Sequence, residues 1–163
     1  EARVTGLDFC PPMLREAKRK REIAGHSSEK LNFLDGDCLA LPFADESFDL
    51  LTISFGLRNL TDRPRGLAEM LRVLRSGGSL LVLEFSQPYF WLRPFYYLYL
   101  RGILPILARL VTGDRKAYEY LGASIAGFPD CSGLASELTQ AGFAKVDFTS
   151  LTGAIVALHA AAK

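Results

Sequence analysis

The chain has 163 residues, of which 49% are hydrophobic and 23% charged, and these values are typical of one globular domain. Its 19 basic and 18 acidic side chains nearly cancel, so no nucleic-acid partner is expected, because such partners require concentrated positive charge. The three cysteines (Cys10, Cys38 and Cys131) lie far apart and the chain has two histidines, so no metal site is expected.

The chain opens with a predicted strand, residues 3–8, whose last residue is Asp8. Pro11 then begins a helix that runs to about Ala24, since proline suits the first helical turn. A carboxylate at the carboxyl end of a strand can accept hydrogen bonds from both hydroxyls of a ribose, as in dinucleotide-binding folds. The alternative is that Asp8 caps the helix, and the residues alone slightly favour that alternative.

Two further predicted strands bring polar groups to the same edge of the sheet. Residues 31–34 form the second strand and lead to Asp37 and Cys38. Residues 48–53 form a short apolar third strand that is followed by Ser54. In open α/β sheets ligands bind at the carboxyl ends of the strands, so the side chains that follow these strands are candidates for a ligand site.

The loop after the third strand reads Ser-Phe-Gly-Leu-Arg-Asn, from Ser54 to Asn59. A loop that only turns the chain favours Gly, Asn, Asp or Pro, whereas this one also places a cation, Arg58, among apolar neighbours. A structural arginine that ties down the strand end explains the chemistry of the loop about as well as a functional arginine does.

The third strand is followed by a predicted helix and another central strand. Asp62 caps the helix, whose apolar side chains form one stripe as far as Leu74, and Gly77 ends it. Residues 79–85 form an apolar run and therefore a strand. Glu84 lies at the same edge as Ser54, and we assign it no role beyond shaping the site.

Residues 86–113 form a predicted insertion within the single domain of residues 1–163, and this insertion is rich in Tyr, Phe and Leu and contains the one Trp of the chain. Its recurring arginines oppose a membrane span, and Pro94 and Pro105 interrupt a helix. Three interpretations remain: a helical lid over an apolar substrate, an interfacial contact with a membrane, or ordinary core.

The remainder of the chain predicts two helices and a hairpin. Asp114 caps the first helix, and the second runs from about Ser132 to Ala141. Residues 144–151 and 154–161 predict two strands that are joined by a short turn containing Gly153. A nicotinamide-binding domain would end in a parallel strand instead.

The eight residues from Thr52 to Asn59, Thr-Ile-Ser-Phe-Gly-Leu-Arg-Asn, resemble the signature of the ubiquinone/menaquinone biosynthesis C-methyltransferases. The Gly-Leu-Arg-Asn loop is specific to that family, whereas Leu-Pro-Phe at 41–43 occurs in many methyltransferases. The similarity runs from Val4 almost to Lys163 and includes 80–85, 118–125 and 156–159. The family uses S-adenosylmethionine to methylate a carbon of a prenylated quinol ring.

The resemblance implies a class I methyltransferase fold, which is an α/β, Rossmann-like sheet closed by a C-terminal antiparallel hairpin. It implies that S-adenosylmethionine is held with its ribose at Asp8, its adenine amino group at Asp37 and its adenine ring against Cys38. Ser54 completes the residues expected to contact this cofactor.

The resemblance places Arg58 at the methyl acceptor, where it stabilises a phenolate or orients a water that takes the proton, because a protonated guanidinium is a poor base. Asn59 would orient the ring oxygen. His159, on the last strand, has a pKa suited to proton transfer, although a lone histidine is more often structural. Positioning and electrostatics would supply most of the acceleration.

Relative to this family the sequence starts at the second strand, and no Gly-x-Gly pattern for the methionine part of the cofactor occurs in it. We therefore expect it to be cut from something longer and to lack the strand between those ending at Asp8 and Ser54. Residues 1–163 alone should not form a stable, cofactor-binding monomer. A non-catalytic fragment or lipid-binding module and, less favoured, an NAD-linked oxidoreductase remain as alternatives.

The resemblance also implies a location and partners. The prenylated substrate suggests a cytoplasmic protein that is peripheral to the inner membrane, or to the equivalent membrane of an organelle. A homodimer or a complex with other quinone-biosynthesis proteins is compatible with this interpretation.

Overall fold

The computed structural model describes residues 2–103 and 115–163, which contain six β-strands and five α-helices. The first part of the chain forms β1 (Val4–Asp8), α1 (Pro11–Ile23), β2 (Leu31–Asp35), β3 (Phe48–Ser54), a 3₁₀ turn (Leu57–Asn59), α2 (Arg63–Val73) and β4 (Leu74–Phe85). The second part forms α3 (Arg93–Leu98), a π-helical turn (Tyr99–Ile103), α4 (Arg115–Ala126), α5 (Cys131–Gln140), β5 (Ala144–Leu151) and β6 (Val156–Ala162).

The strands form two separate sheets, and the α/β class is confirmed. β1 and β2 pair in parallel, and the other sheet has the order β3-β4-β6-β5. In that sheet β3 is parallel to β4, whereas β6 is antiparallel to both of its neighbours. Among the described residues nothing pairs with the second edge of β1 or β3. The predicted separation of the strands that end near Asp8 and Asp37 from those that end at Ser54 and Phe85 is therefore confirmed.

Helix α2 begins as predicted but ends earlier than Gly77. The Asp62 carboxylate accepts a hydrogen bond of 3.0 Å from the backbone N–H of Arg65 and so caps the helix. The helix stops at Val73 because Leu74 is already extended and lies opposite Phe48 as the first residue of β4. Gly77, with φ of +79°, lies in the irregular start of β4 and not at the helix end, and this backbone conformation favours glycine.

The main core lies on one face of the four-stranded sheet, under α2 and α5. Leu57 of the 3₁₀ turn is fully buried in it and fastens that turn to the sheet. The core joins buried side chains of the turn, both helices, β4, β6 and nearby loops: Leu57, Leu67, Met70, Leu74, Leu80, Val82, Phe128, Leu134, Leu138, Phe143 and Ala161. The turn that carries Arg58 is thus anchored in this core.

The predicted C-terminal hairpin is confirmed, since β5 and β6 are antiparallel neighbours. Thr152, Gly153 and Ala154 at its tip all have positive φ, between 49° and 65° for the two non-glycine residues. Helix α5 is capped by Asp130, whose carboxylate accepts a 2.8 Å hydrogen bond from Gly133 N–H. The predicted cap of α4, Asp114, lies outside the described residues.

We expect a chain limited to residues 1–163 to lack a single cooperative thermal melt. A two-stranded sheet is marginally stable in water, and each backbone group buried without a partner costs about 1–3 kcal/mol. Hydrogen–deuterium exchange should be fast in β1 and β2 and slow in β4, because β4 is paired on both sides. One cooperative melt with equal protection of β1 and β4, in a monomer, would contradict this expectation.

Candidate functional site

The loop after β3 is a tight turn that is fixed at several points. Phe55 has φ of +54° and donates its N–H to Leu83 O at 2.8 Å, which holds the strained residue against β4. A Cβ on Gly56 would lie 3.3 Å from Ile53 Cγ1, so this close approach favours glycine. Asn59 N–H donates to Gly56 O at 3.1 Å and closes the 3₁₀ turn. The backbone therefore presents Arg58 and Asn59 at the strand end in one fixed arrangement.

Arg58 forms a buried ion pair with Glu84, the penultimate residue of β4. Arg58 Nη1 lies 3.0 Å from Glu84 Oε1, and the two side chains are 11% and 1% exposed. The backbone N–H of Arg58 also donates to Glu84 Oε2 at 3.2 Å. Since one carboxylate holds both the backbone and the guanidinium of Arg58, the ion pair fixes the position and the direction of this side chain.

Two further contacts restrain the guanidinium. Arg58 Nη1 donates to Phe55 O, and the guanidinium carbon lies 5.3 Å from the centre of the Phe85 ring. Arg58 Nε is buried and has no hydrogen-bond partner in the described part of the chain. An unpaired buried donor is costly, so this nitrogen is a candidate to meet a ligand oxygen.

Asn59 is held by a residue from a distant helix. Its Oδ1 accepts a 3.0 Å hydrogen bond from the hydroxyl of Tyr120, an exposed residue of α4. Because the amide oxygen takes this bond, the Nδ2 hydrogens are directed elsewhere and are suited to donate to an acceptor oxygen. Sequence reasoning missed Tyr120, and its only signal was the resemblance of 118–125 to the family.

The structure places Asp8 and Asp37 at the ends of β1 and β2, each with one oxygen engaged. Asp8 Oδ1 accepts from Cys10 N–H and Asp37 Oδ1 accepts from Leu39 N–H, both at 2.8 Å. In the described residues the Oδ2 atoms accept no hydrogen bond. The alternative that Asp8 caps helix α1 is therefore met only in part. Asp8 accepts from Cys10, which precedes the helix, and from no N–H group within the helix.

Cys38 lies with these two carboxylates. Burial raises the pKa of its thiol, and the negative charges of Asp37 and Asp8 raise it further. The thiol therefore stays protonated near neutral pH and acts as a small apolar group. Both carboxylates affect the same thiol, so the structure brings Asp8, Asp37 and Cys38 together, whereas Ser54 ends β3, on the other sheet.

His159 lies apart from Arg58 and Asn59. It lies opposite Val82 in the β4–β6 ladder. The ladder pair at the strand end, Phe85 with Val156, is three residues and about 10 Å away along β6. Its Nε2 donates to Cys131 O at 2.9 Å, and the ring is 1% exposed. Nδ1 is buried with no partner among the described residues, so the ring is neutral and protonation would bury a second N–H.

An open groove of about 280 Å³ lies between the loop after β2 and helix α2. It is lined by Leu39, Ala40, Leu41, Arg65, Ala68 and Glu69. None of the predicted site residues lines this groove, but it adjoins Asp37, because Leu39 of its lining donates its backbone N–H to that carboxylate.

The chain is similar to known proteins over its whole length. Residues 1–163 match the protein family described as the ubiE/COQ5 methyltransferase family. A ubiquinone/menaquinone biosynthesis C-methyltransferase UbiE of Paracoccus denitrificans is 48% identical over 159 residues, which are 97% of this chain and 63% of that protein. A demethylmenaquinone methyltransferase of Clavibacter sepedonicus is 45% identical over 163 residues, with 99% and 65% covered. The chain thus spans a little under two thirds of these relatives.

Solved structures show the same fold at low sequence identity. A SAM-dependent methyltransferase from Methanosarcina mazei has a TM-score of 0.69 at 21% identity, covering 98% of this chain and 81% of that one. A SAM-dependent methyltransferase from Aquifex aeolicus has a TM-score of 0.66 at 15% identity, with 98% and 68% covered. The predicted class I methyltransferase fold is confirmed.

The state of His159 gives a pH dependence. Burial lowers its pKa below 6.5, so below that pH the unfolded chain binds a proton that the folded chain does not. The free energy of unfolding should therefore fall with decreasing pH, by at most about 1.4 kcal/mol per pH unit from this group. His159→Gln, measured by denaturant titration, should remove this part of the slope between neutral pH and about pH 5.

The matched control is the same substitution at exposed His26, which should leave the contribution of His159 in place. A slope that is equal in wild type and His159→Gln would show that burial does not lower the pKa of the ring, so that it gains and loses a proton as readily in the folded protein as in the unfolded chain, and would make His159 available for acid–base chemistry.

Proposed function

The chain belongs to the ubiE/COQ5 methyltransferase family, and we propose that the protein transfers the methyl group of S-adenosylmethionine to a ring carbon of a prenylated quinol. The observation that supports the proposal most directly is the restrained Arg58–Asn59 turn, which presents hydrogen-bond donors at a strand end. The relatives named above are quinone-biosynthesis methyltransferases, so the same pathway is proposed for this protein.

The residues at the ends of β1 and β2 fit the adenosine part of the cofactor. Asp8 Oδ2 would accept from the ribose hydroxyls, and Asp37 Oδ2 would accept from the adenine amino group. Cys38, half-buried and protonated, would lie against the adenine ring. Ser54, exposed at the end of β3, is proposed to complete the contact from the other side of the open edge. S-adenosylmethionine supplies the electrophilic methyl group on its sulfonium.

Arg58 and Asn59 are proposed to bind the acceptor ring through the oxygen next to the reacting carbon. Transfer of the hydroxyl proton to water makes that carbon nucleophilic, and donors held at the oxygen stabilise the resulting phenolate. The carbon–methyl bond forms as the methyl–sulfur bond breaks, and the carbon then releases its proton to water. The proposal assigns no step to His159, because its ring is buried under α5 and hydrogen-bonded to Cys131.

The two alternatives make different predictions. An NAD-linked oxidoreductase is disfavoured by the family and by the antiparallel β5–β6 hairpin. A non-catalytic, lipid-binding module of the same fold would bind prenylated lipids but transfer no methyl group. Incubation of the intact protein with S-adenosylmethionine and a prenylated quinol, followed by mass spectrometry, separates these functions, since only the methyltransferase yields a product heavier by one methylene.

The segment after β4 is proposed to cover the prenyl tail and to contact a membrane surface. Tyr96 and Leu100 pack against Ile125 of α4, so one side of the segment is core. Phe90 and Trp91 are 82% and 58% exposed, on the surface of the same segment. No helix among the described residues is long and apolar enough to cross a membrane. The part of the predicted insertion at 104–113 lies outside the described residues.

A peripheral location at the inner membrane, or at the equivalent organelle membrane, follows from this contact and from the prenylated substrate. The prenylated quinol is the proposed small-molecule partner. A homodimer or a complex with other quinone-biosynthesis proteins stays a prediction.

Asp8→Asn should weaken S-adenosylmethionine binding to the intact protein by about 1.5–3 kcal/mol. Asparagine keeps an Oδ1 acceptor for Cys10 N–H, but its amide nitrogen replaces the oxygen proposed to accept from the ribose. Calorimetric titration measures the change. The control is Asp49→Asn near the other end of β3, where the exposed carboxylate pairs with Arg75. Equal affinity of wild type and Asp8→Asn for S-adenosylmethionine would contradict the proposal that Asp8 binds the ribose hydroxyls.

Trp91→Glu should reduce binding of the intact protein to anionic liposomes roughly tenfold, or about 1.4 kcal/mol, because a charge replaces a large apolar surface. Flotation measures the bound fraction. Ile23→Glu, which adds the same charge at an exposed apolar residue of α1, should bind as wild type does. If neither wild type nor Trp91→Glu floats, the segment has no membrane contact.

A further inference from the structure

Glu84 is a buried carboxylate that serves the turn carrying Arg58. Its Oε1 accepts from Arg58 Nη1 at 3.0 Å and from Phe85 N–H at 2.9 Å, and its Oε2 accepts from Arg58 N–H at 3.2 Å. A carboxylate that is 1% exposed requires such donors, since burial of an unpaired charge is very costly. Two of its three hydrogen bonds go to one residue, Arg58.

The geometry of this ion pair differs from that of the other arginine–glutamate pairs with two hydrogen bonds. Arg63 binds Glu137 through Nε and Nη2 at 3.0 and 2.8 Å, which is the two-pronged edge of the guanidinium. Arg19 with Glu16 and Arg72 with Glu69 use the same edge. Arg58 instead meets Glu84 through Nη1 alone.

The two-pronged edge of Arg58 is therefore not used within the described part of the chain. Its Nε is buried and unpaired, while Glu84 and Phe55 O hold the opposite end of the guanidinium and the Phe85 ring lies 5.3 Å from it. An arrangement optimised for stability would pair the edge that makes two hydrogen bonds. In this arrangement the Nε of that edge has no acceptor among the described residues.

We propose that Glu84 is a positioning residue for methyl transfer, which holds Arg58 so that its Nε–Nη2 edge meets the anionic ring oxygen of the acceptor. The proposal rests on the proposed function. In this role Glu84 would contact neither substrate nor cofactor and would act by fixing the backbone and the guanidinium of Arg58 together. It also balances the guanidinium charge within the buried site before the acceptor arrives.

The test is Glu84→Gln in the intact protein, with Glu137→Gln as the matched control. Glutamine offers one acceptor oxygen where the carboxylate offers two, so at least one hydrogen bond to Arg58 or Phe85 is lost. The kcat with a prenylated quinol should fall about 10–100-fold, since small misplacements have effects of this size. The Kd for S-adenosylmethionine should change less than about twofold, and Glu137→Gln should retain the wild-type kcat.

A double-mutant cycle shows whether Glu84 acts through Arg58. Arg58→Ala should lower kcat, and adding Glu84→Gln to it should lower kcat no further, because the residue being positioned is already absent. If the two effects multiply instead, Glu84 acts independently of Arg58 and the proposal is overturned. Glu84→Asp keeps the charge, withdraws the carboxylate by one methylene, and provides the same test if Glu84→Gln does not fold.

Hydrogen–deuterium exchange of residues 55–60 gives a measurement that needs no turnover. Exchange should be faster in Glu84→Gln than in wild type and unchanged in Glu137→Gln. Unchanged exchange together with unchanged kcat in Glu84→Gln would overturn the positioning role alone. The exchange results can also be as expected while the wild-type protein methylates no prenylated quinol. That outcome would overturn the proposed function, and with it the role of Glu84 in that reaction.

Discussion

The buried ion pair between Arg58 and Glu84 links the sheet to the candidate site. Two charges taken out of water must be closely paired and hydrogen-bonded, so β3 and β4 cannot shift relative to each other without a large loss of free energy. The fully buried Leu57 ties the same turn to the core under α2 and α5. The strained φ of Phe55 is tolerated because these contacts surround it. Core packing and the geometry of the site therefore depend on the same few residues.

The second constraint is the open edge between β1 and β3. Three of the proposed cofactor residues, Asp8, Asp37 and Cys38, follow the strands of the two-stranded sheet, whereas Ser54 and the acceptor residues follow β3 of the other sheet. Strand pairing within the described residues therefore does not set the separation of these two groups. Helix α2 bridges the two instead. Arg65 Nε donates to Leu39 O, and Glu69 accepts from Leu41 N–H, both at 2.8 Å. The loop that carries Asp37 is thus fastened to the helix that directly follows the acceptor turn.

Local sequence patterns predicted the helices and strands. The features that were not predicted depend on contacts between residues that are far apart in the chain. Strand ends, caps and the hairpin follow from apolar runs and turn residues within a few positions. The end of α2 was misplaced because Leu74 fits the helical stripe as well as the start of β4. The roles of Glu84 and Tyr120 had no local signal, since their partners Arg58 and Asn59 lie 26 and 61 residues away. For His159 the side-chain type indicated proton transfer, but the Cys131 carbonyl, 28 residues away, accounts for its placement.

The contact between Tyr120 and Asn59 bears on how ring and tail are recognised in the proposed reaction. Directional hydrogen bonds from Arg58 and Asn59 require one placement of the ring oxygen, whereas apolar contacts depend on buried area and have no preferred direction. Tyr120 belongs to α4, whose Ile125 packs on the aromatic segment after β4, and its hydroxyl reaches the acceptor turn. The surface proposed for the tail is therefore coupled to the residues proposed for the ring. Selectivity should accordingly be strict for the ring and tolerant of the length of the prenyl chain.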